Sequence, residues 1–512
     1  MKVVIVGGGT AGWLSALFLA RLNKLAEENK NPALYDITLI ESKDIPIIGA
    51  GEGSTGILAD YIKDRFSVLG VNENDFIYQT NSTLKFGIRF KDWNGIGTEY
   101  LSPIQPTSTT MLNVDADLLS FLIHGNYYDS SFAGFLMGKG YSDFSINKVS
   151  SKDSHTFHFD AHKVGEYFKS ISLKHGVKYV NGEINQLNID KDNGFLKSVN
   201  LKEHSDKIEA DFWIDCSGFS RILIKNMGVD WISYRNFLPT NNALPYFHKY
   251  KENEDIWGET LAWAQPNGWM WQIPTQERYG CGYVYSDMFT NQDGALEELK
   301  KTTGRDIEPI RNLKFDAGRV EKFWEKNVVA IGLSSQFLEP LQATSIHSTI
   351  IQLDILVNHH LYGGETKMEW EYSAKSYNKK ISEMVDEFRD LIQIHYMTQR
   401  EDTPFWKYCK YDLQKTDKTQ EILEISKYRS PSGLDFKIYH GAANWGVWCW
   451  TVVGLGIVTK EVAENSLKNF SLYNQSKQRF DDIMKNSHIP LTTLMKHSDF
   501  LKAVWDKKLN VK

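Results

Sequence analysis

The sequence predicts an α/β protein built on a Rossmann-like dinucleotide-binding module, with an interleaved substrate-side sheet and a mostly helical C-terminal region. Three observations predict it. The β-branched run Lys2–Val6 leads into Gly7-Gly-Gly-Thr-Ala-Gly12 and then into an apolar run, Trp13 to Asn23, that reads as a helix. Further short apolar runs at 35–41, 212–219 and 327–335 each end in small or acidic residues, as strands returning to one parallel sheet do. Beyond residue 369 the patterning is helical. The division this implies is 1–355 for the module, with inserted substrate-facing segments at about 94–150 and 230–320, and 356–512 for a helical cover.

The first glycines have separate tasks. Gly7 makes a tight turn, Gly9 admits a pyrophosphate close to the backbone, and Gly12 lets helix and strand pack closely. Thr10 and Ala11 open the helix whose N-terminus would face the diphosphate. The second strand, 35–41, ends in Glu41, 29 residues past Gly12, where an acid suits ribose hydroxyls. An ordinary surface glutamate is the alternative.

Bulk properties narrow the class. With 42% hydrophobic and 24% charged residues the chain reads as soluble and globular, and a net charge of -6 leaves no electrostatic footprint for nucleic acid. Cys216, Cys281, Cys409 and Cys449 are scattered without metal or disulfide spacing, so no metal is expected. No signal peptide is expected ahead of the first strand, and the apolar stretch Trp445 to Val458 is too short for a bilayer, which gives a cytoplasmic expectation with no membrane partner. The 15 tryptophans suit a flat cofactor and a flat substrate, although most tryptophans are core.

Along the chain, Ile47 to Thr55 is a second glycine cluster, with Gly51, Glu52, Gly53 and Ser54 suited to a loop beside a flat cofactor, or equally to a surface turn, rather than to helix or strand. Residues 56–79 read as helical. From Asn81 to Trp93 the pattern predicts one strand, with Thr83, Lys85, Gly87 and Arg89 on one face and Leu84, Phe86, Ile88 and Phe90 on the other. A solvated Lys85 is the alternative to a functional one. Residues 94–150 read as loop-rich. Asp160 is placed to cap a helix over 162–174, and strands follow at 177–192 and 195–203. In Trp269-Met-Trp-Gln-Ile-Pro274, Trp269, Trp271 and Ile273 would share a strand face and form an aromatic wall, with a core ladder as the alternative. The stretch Phe337 to Ile346 leads into an apolar helix, 350–361, whose small N-terminal residues suit an anion.

These motifs taken together resemble the flavin-dependent tryptophan halogenase family along nearly the whole chain. They are G-x-G-x-x-G at Gly7–Gly12, L-K-F-G-I-R-F around Lys85, D-C-S-G-F at Asp215–Phe219, W-x-W-x-I-P at Trp269–Pro274, E-P-L at Glu339–Leu341 and H-Y-x-x-x-R-x-D-T-P-F-W at His395–Trp406. The resemblance implies an FAD module of the flavin hydroxylase type, used as FADH2. Reduced FAD, oxygen and chloride, bromide or iodide would yield hypohalous acid. Lys85 would hold that reagent, by hydrogen bonding or as a haloamine, and present it to an electron-rich aromatic substrate. It implies cofactor contacts at Ile184, Leu333 and Ile346 besides the glycine loops, a halide at the backbone of Thr344 and Ser345, and Trp269, Trp271, Ile273 and Pro274 parting flavin from substrate. A second G-x-G-x-x-G is not visible, so the flavin would arrive reduced from a separate NAD(P)H-dependent flavin reductase. A homo-oligomer is compatible with all of this.

One departure matters for chemistry. Where tryptophan-specific members carry Glu-Ser-Thr-Gly, this chain reads Gln342-Ala343-Thr344-Ser345. Gln342 hydrogen-bonds but is no base near neutral pH, so Lys85 and Gln342 are the catalytic candidates, with bromide or iodide expected to be preferred over chloride. Ser345 in place of glycine is expected to alter the backbone at the anion site. Trp445, Trp448 and Trp450 are candidates for stacking on a substrate ring. The competing readings are an FAD-dependent aromatic monooxygenase and a non-catalytic flavoprotein.

Overall fold

The computed structural model describes residues 1–43, 52–104, 110–111, 114–145, 154–202, 207–252, 254–361, 370–436, 445–469, 473–486 and 490–506. Gly51 lies outside the described residues, as do Ile47 to Ala50.

A six-stranded sheet organises the nucleotide side. Its order is Lys178–Asn181, Asp36–Glu41, Lys2–Val6, Phe212–Asp215, Val328–Ala330 and Trp324–Glu325. The first five run parallel and the last antiparallel. Val3 to Val6 are buried on both faces, which is why that run is continuously apolar instead of alternating. The helix Thr10–Glu28 follows and buries Trp13 to Ala20 against the sheet. Beside it lies Ala161–Lys174, begun by Asp160, whose carboxylate accepts from the amides of His162 and Lys163 at 3.0 and 3.3 Å. After Phe212–Asp215 the chain turns sharply. The buried Asp215 carboxylate holds that turn by accepting from Ser217 N and Oγ and from the amides of Leu223 and Ile224.

The second layer is a seven-stranded sheet in the order Leu313–Lys314, Asn242–Lys249, Arg278–Tyr285, Gly268–Pro274, Glu259–Gln265, Gly87–Lys91 and Glu99–Pro103. Its pairings are antiparallel apart from Gly87–Lys91 with Glu259–Gln265. Period two divides its faces. Trp269, Trp271 and Ile273 enter the main core, whereas Met270 joins Cys281, Tyr283 and Tyr285 in a separate cluster on the other face.

Between the two lies a small sheet in the order Glu52–Gly53, Thr156–Phe159, Thr83–Lys85. The run from Asn81 to Trp93 is therefore not one strand. It breaks at Phe86, whose amide donates to Gly258 O at 2.6 Å and whose carbonyl accepts from Ile104 N at 2.7 Å. Thr83–Lys85 pairs with Thr156–Phe159, and Gly87–Lys91 enters the large sheet. Both faces of the run are covered, so its alternation does not separate a wet side from a dry one. Glu52 and Gly53 also form strand where only a loop is expected, because Thr156–Phe159 offers a free edge.

Residues 94–150 hold more regular structure than their composition suggests: a strand at Glu99–Pro103, a helix at Ala116–His124 and a strand at Tyr141–Ser145. Asp115 caps that helix, accepting from Leu118 N at 3.1 Å. The C-terminal part is helical, with Trp370–His395 its longest element, and its short strand Leu494–Lys496 pairs back with Tyr141–Ser145. Among the described residues no helix is long and apolar enough to cross a membrane.

Asp160→Ala removes the cap of the helix beside the glycine turn, and the expected loss is about 1 kcal/mol. Urea unfolding midpoints of variant and parent at one pH check it.

Candidate active site

At the nucleotide end the three glycines differ in what surrounds them. Gly7 has φ +113°, and a methyl there would lie 2.2 Å from Cys216 O. A methyl at Gly12 would lie 1.8 Å from Gly7 O, so helix and turn touch only because neither residue has a side chain. Around Gly9 nothing comes within 4 Å, leaving the backbone open where the helix Thr10–Glu28 begins without a side-chain cap. Glu41 ends its strand against Gly8, where a methyl would meet its Cδ at 2.2 Å, and it is paired with Lys169 at 3.0 Å. Thr10 Oγ1 reaches Ala161 O at 3.4 Å. The turn Gly332–Ser334, which carries Leu333, approaches from the other side: a methyl on Gly332 would stand 2.6 Å from Ala11 Cβ. Ile184 opens the strand Ile184–Ile189 just beyond Gly182, whose amide donates to Glu41 O at 3.0 Å.

Lys85 is not solvated. It is 2% exposed, and Nζ donates to Ser54 O at 2.8 Å. A methyl on Gly53 would lie 3.0 Å from that Nζ, 3.4 Å from Thr260 Oγ1 and 3.5 Å from His158 Cδ2, so these groups form one small polar nest. Desolvation lowers the amine from 10.5 to about 7. No carboxylate among the described residues offsets that burial. The same desolvation, with the Lys85 charge behind it, holds His158 well below the usual imidazole value. Ser54 cannot turn away, because its hydroxyl bridges Thr156 Oγ1 at 2.7 Å and Phe157 O at 2.9 Å. Thr83, two residues before Lys85, donates to Pro274 O at 2.7 Å and so ties this strand to the tryptophan strand.

The turn after Glu339 is the third wall. Gln342 and Ala343 have φ of 63° and 54°, the left-handed region, before the helix Thr344–Ile355 begins without a side-chain cap. Its first amides therefore lack intrahelical acceptors. The strain sits at Gln342 and Ala343; Ser345 is ordinary helix and needs no glycine, contrary to the expectation from sequence. Thr344 is buried, Ser345 is exposed, and Ile346 is buried behind them. One turn further, His347 Nδ1 meets Thr55 Oγ1 at 2.7 Å, which ties this helix to the Ser54 segment that holds Lys85. Glu339 Oε2 accepts from Trp269 Nε1 at 2.9 Å, Thr240 Oγ1 at 2.8 Å and Tyr396 OH at 2.6 Å. The rings of Trp269 and Trp271 stand 6.3 Å apart, and Trp271 fills the space over Gly282, where a methyl would lie 2.0 Å from it. Gln342 Nε2 lies 3.0 Å from His395 Nε2.

A family model for tryptophan halogenases matches residues 2–468. The chain belongs to that family. This halogenase is 31% identical to tryptophan 7-halogenase RebH of Lentzea aerocolonigenes over 86% of its length and 85% of RebH. It is 29% identical to tryptophan 6-halogenase SttH of Streptomyces toxytricini, covering 86% of each chain. Among solved structures, a tryptophan halogenase from Shewanella frigidimarina superposes with a TM-score of 0.85 at 26% identity, covering 99% of this chain and 98% of that one. Xcc4156, a flavin-dependent halogenase from Xanthomonas campestris, gives 0.83 at 26% identity with 98% of both chains covered. The enzyme is a flavin-dependent halogenase, an oxidoreductase acting on aromatic compounds.

Hydrogen bonds in this halogenase thus tie Lys85 to Ser54, its strand through Thr83 to Pro274, and Thr55 to His347 on the helix that follows the turn at Gln342 to Ser345. Trp448 and Trp450 do not join them. Both are fully buried, packed on Phe436 and Tyr127 with centroids at 5.2 and 5.6 Å. Sequence patterning missed His158, Thr260 and His347, which touch the site only through tertiary contacts. His395 stood inside a motif, but nothing in that motif named Gln342 as its partner.

The unfolded chain keeps the Lys85 proton up to pH about 10.5, and the folded protein releases it at about 7. Stability therefore rises with pH across that window, and the cost of burying the charged amine is fully present below it. Lys85→Met is expected to stabilise the protein more at pH 6 than at pH 9, as read from denaturant midpoints at the two pH values.

Proposed function

We propose that this halogenase uses FADH2, oxygen and halide to make hypohalous acid, which Lys85 relays to an electron-rich aromatic or heteroaromatic small molecule. The observation that carries this reading is the Lys85 amine, buried with no carboxylate and one carbonyl acceptor among the described residues, and with a proton affinity brought near neutrality. A neutral amine is both a hydrogen-bond donor and a nucleophile toward an electrophilic halogen. Either form of the relay needs that.

FAD suits the nucleotide end. The open backbone at Gly9 and the uncapped amides of Thr10 and Ala11 fit a diphosphate, and Glu41 fits ribose hydroxyls. Gly7 and Gly12 shape that turn, Gly53 and Ser54 pass between it and Lys85, and Ile184, Leu333 and Ile346 supply apolar contact. When bound and reduced, FAD supplies with oxygen the oxidising equivalents for the halide. Thr344 and Ser345 offer their amides to the halide at the start of their helix. Trp269, Trp271, Ile273 and Pro274 close the space between flavin and substrate, so only a small diffusible reagent passes. A separate NAD(P)H-dependent flavin reductase supplies the FADH2, since the sequence shows no second dinucleotide fingerprint. Gln342 supplies no base, which favours bromide or iodide, the more easily oxidised halides. The substrate class is an indole, phenol or related heteroaromatic rather than free tryptophan.

With a generic flavin reductase, FAD, bromide and a panel of such compounds, wild type is expected to give products with a bromine isotope pattern. Lys85→Ala is expected to give none while still binding FAD and consuming oxygen. Halogenation that survives Lys85→Ala sinks the relay, and a product gaining oxygen instead of halogen sinks the halogenase reading for that substrate. Equimolar chloride and bromide are expected to yield mainly the brominated product; a chlorinated majority reverses the halide assignment.

A further inference from the structure

The strand that carries Lys85, Thr83–Lys85, lies at the edge of its three-stranded sheet and pairs on one side only, with Thr156–Phe159. In an antiparallel pair every second amide turns away from the partner strand. Here that amide belongs to Leu84, the fully buried residue before Lys85, where a donor without an acceptor is costly. It donates to His497 Nε2 at 3.0 Å, across 413 residues of sequence. A backbone amide only donates, so Nε2 is the acceptor and the ring hydrogen sits on Nδ1. Burial lowers this imidazole to about 4, so the ring is neutral and its lone pair is available near neutral pH. The helix His497–Trp505 is fastened on both sides of this contact. Before it, Leu494–Lys496 pairs with Tyr141–Ser145, and His497 N donates to Gly140 O at 2.9 Å. At its far end Trp505 Nε1 donates to Gln276 Oε1 at 2.6 Å, and Gln276 Nε2 donates to Ser82 O at 2.8 Å. The helix thus reaches the run Ser82 to Leu84 at two points, directly through His497 and through Gln276.

We propose that His497 is a positioning residue for Lys85, and that the helix His497–Trp505 braces the lysine strand from beyond residue 468, where the match to the family model ends. The proposal rests on the Lys85 relay proposed above. Donation to Ser54 O fixes only the tip of a long side chain, whereas the strand sets the Cα from which that side chain starts. On the far side of Lys85, Phe86 N donates to Gly258 O at 2.6 Å. His497 supplies the matching restraint on the near side, so the backbone is held on both flanks of the lysine. Without that acceptor the Thr83–Leu84 peptide rotates toward another one and carries Nζ with it. A displacement of about 1 Å is enough to lower a positioned transfer strongly. The oxidant forms before it reaches Lys85, so the loss falls on delivery and not on oxidant formation.

The test is the ratio of aryl bromide formed to hypobromous acid escaping to a diffusible 1,3-diketone trap, with the panel compound that wild type brominates most. His497→Phe keeps a ring of similar volume without the acceptor, and it is expected to lower the ratio about tenfold, the effect of one lost hydrogen bond. His497→Gln, whose carbonyl can take the place of Nε2, is expected to keep most of the wild-type ratio. In a Lys85→Ala background His497→Phe is expected to change nothing further, because it acts only through the lysine. An unchanged ratio in His497→Phe overturns the proposal, as does a further fall in the Lys85→Ala background. So does His497→Gln behaving like His497→Phe while FAD affinity and melting temperature match wild type. Hydrogen exchange at the Leu84 amide of the wild-type enzyme decides the contact itself, whether or not the variants fold: slow exchange is expected, and fast exchange removes the brace. Full halogenation in Lys85→Ala with a protected Leu84 amide is a different outcome, which removes the relay and with it the role of His497 in transfer.

Discussion

One carboxylate oxygen holds three distant parts of the chain against each other. Glu339 Oε2 accepts from Thr240, Trp269 and Tyr396, which lie 99, 70 and 57 residues away in sequence. Each hydrogen bond to a charged acceptor contributes about 1.5–3 kcal/mol. Burial opposes them: desolvation outweighs the three donors and raises the Glu339 pKa above the ordinary value. The carboxylate is thus a clamp held under electrostatic load. It orients Trp269 on its strand, the end of the long helix that carries His395, and the turn leading to Gln342.

From that clamp the rest of the site follows by short steps. The chain leaves Glu339 through Pro340 and Leu341 and enters two left-handed residues, each costing roughly 1–2 kcal/mol outside glycine. Such strain persists only where the surroundings over-determine it. Here they do so from both sides, through the Glu339 hydrogen bonds before the turn and the His395 contact within it. The result is a helix start without a side-chain cap and a Gln342 side chain held 3.0 Å from His395 Nε2. His347 and Thr55 connect the same helix to the Ser54 segment, and Ser54 to Lys85. Lys85 and the helix Thr344–Ile355 are joined by one connected set of hydrogen bonds and not by separate loops.

The nucleotide end is built on another principle. There the absence of side chains does the positioning: Gly7 and Gly12 touch backbone, and Gly9 faces open space. Such contacts tolerate no substitution and need no partner network. That is why this part of the protein is so plain in a single sequence.

What the sequence determined by itself was whatever depends on neighbours along the chain. The strand–turn–helix at Lys2–Glu28, the Asp160 cap and the alternation that sends Trp269, Trp271 and Ile273 to one face all follow from spacing, and all are present. The order of motifs likewise sufficed to assign the family. Tertiary structure alone decided the break at Phe86, because two different sheets compete for one alternating run. It decided that Lys85 is buried, since its neighbours Ser54, His158 and Thr260 come from three other segments. It also decided that Gln342 meets His395, because the two stand 53 residues apart and only the fold brings them to 3.0 Å. Spacing in a sequence encodes faces and turns; burial and hydrogen-bond polarity arise only when residues far apart in the chain are brought together.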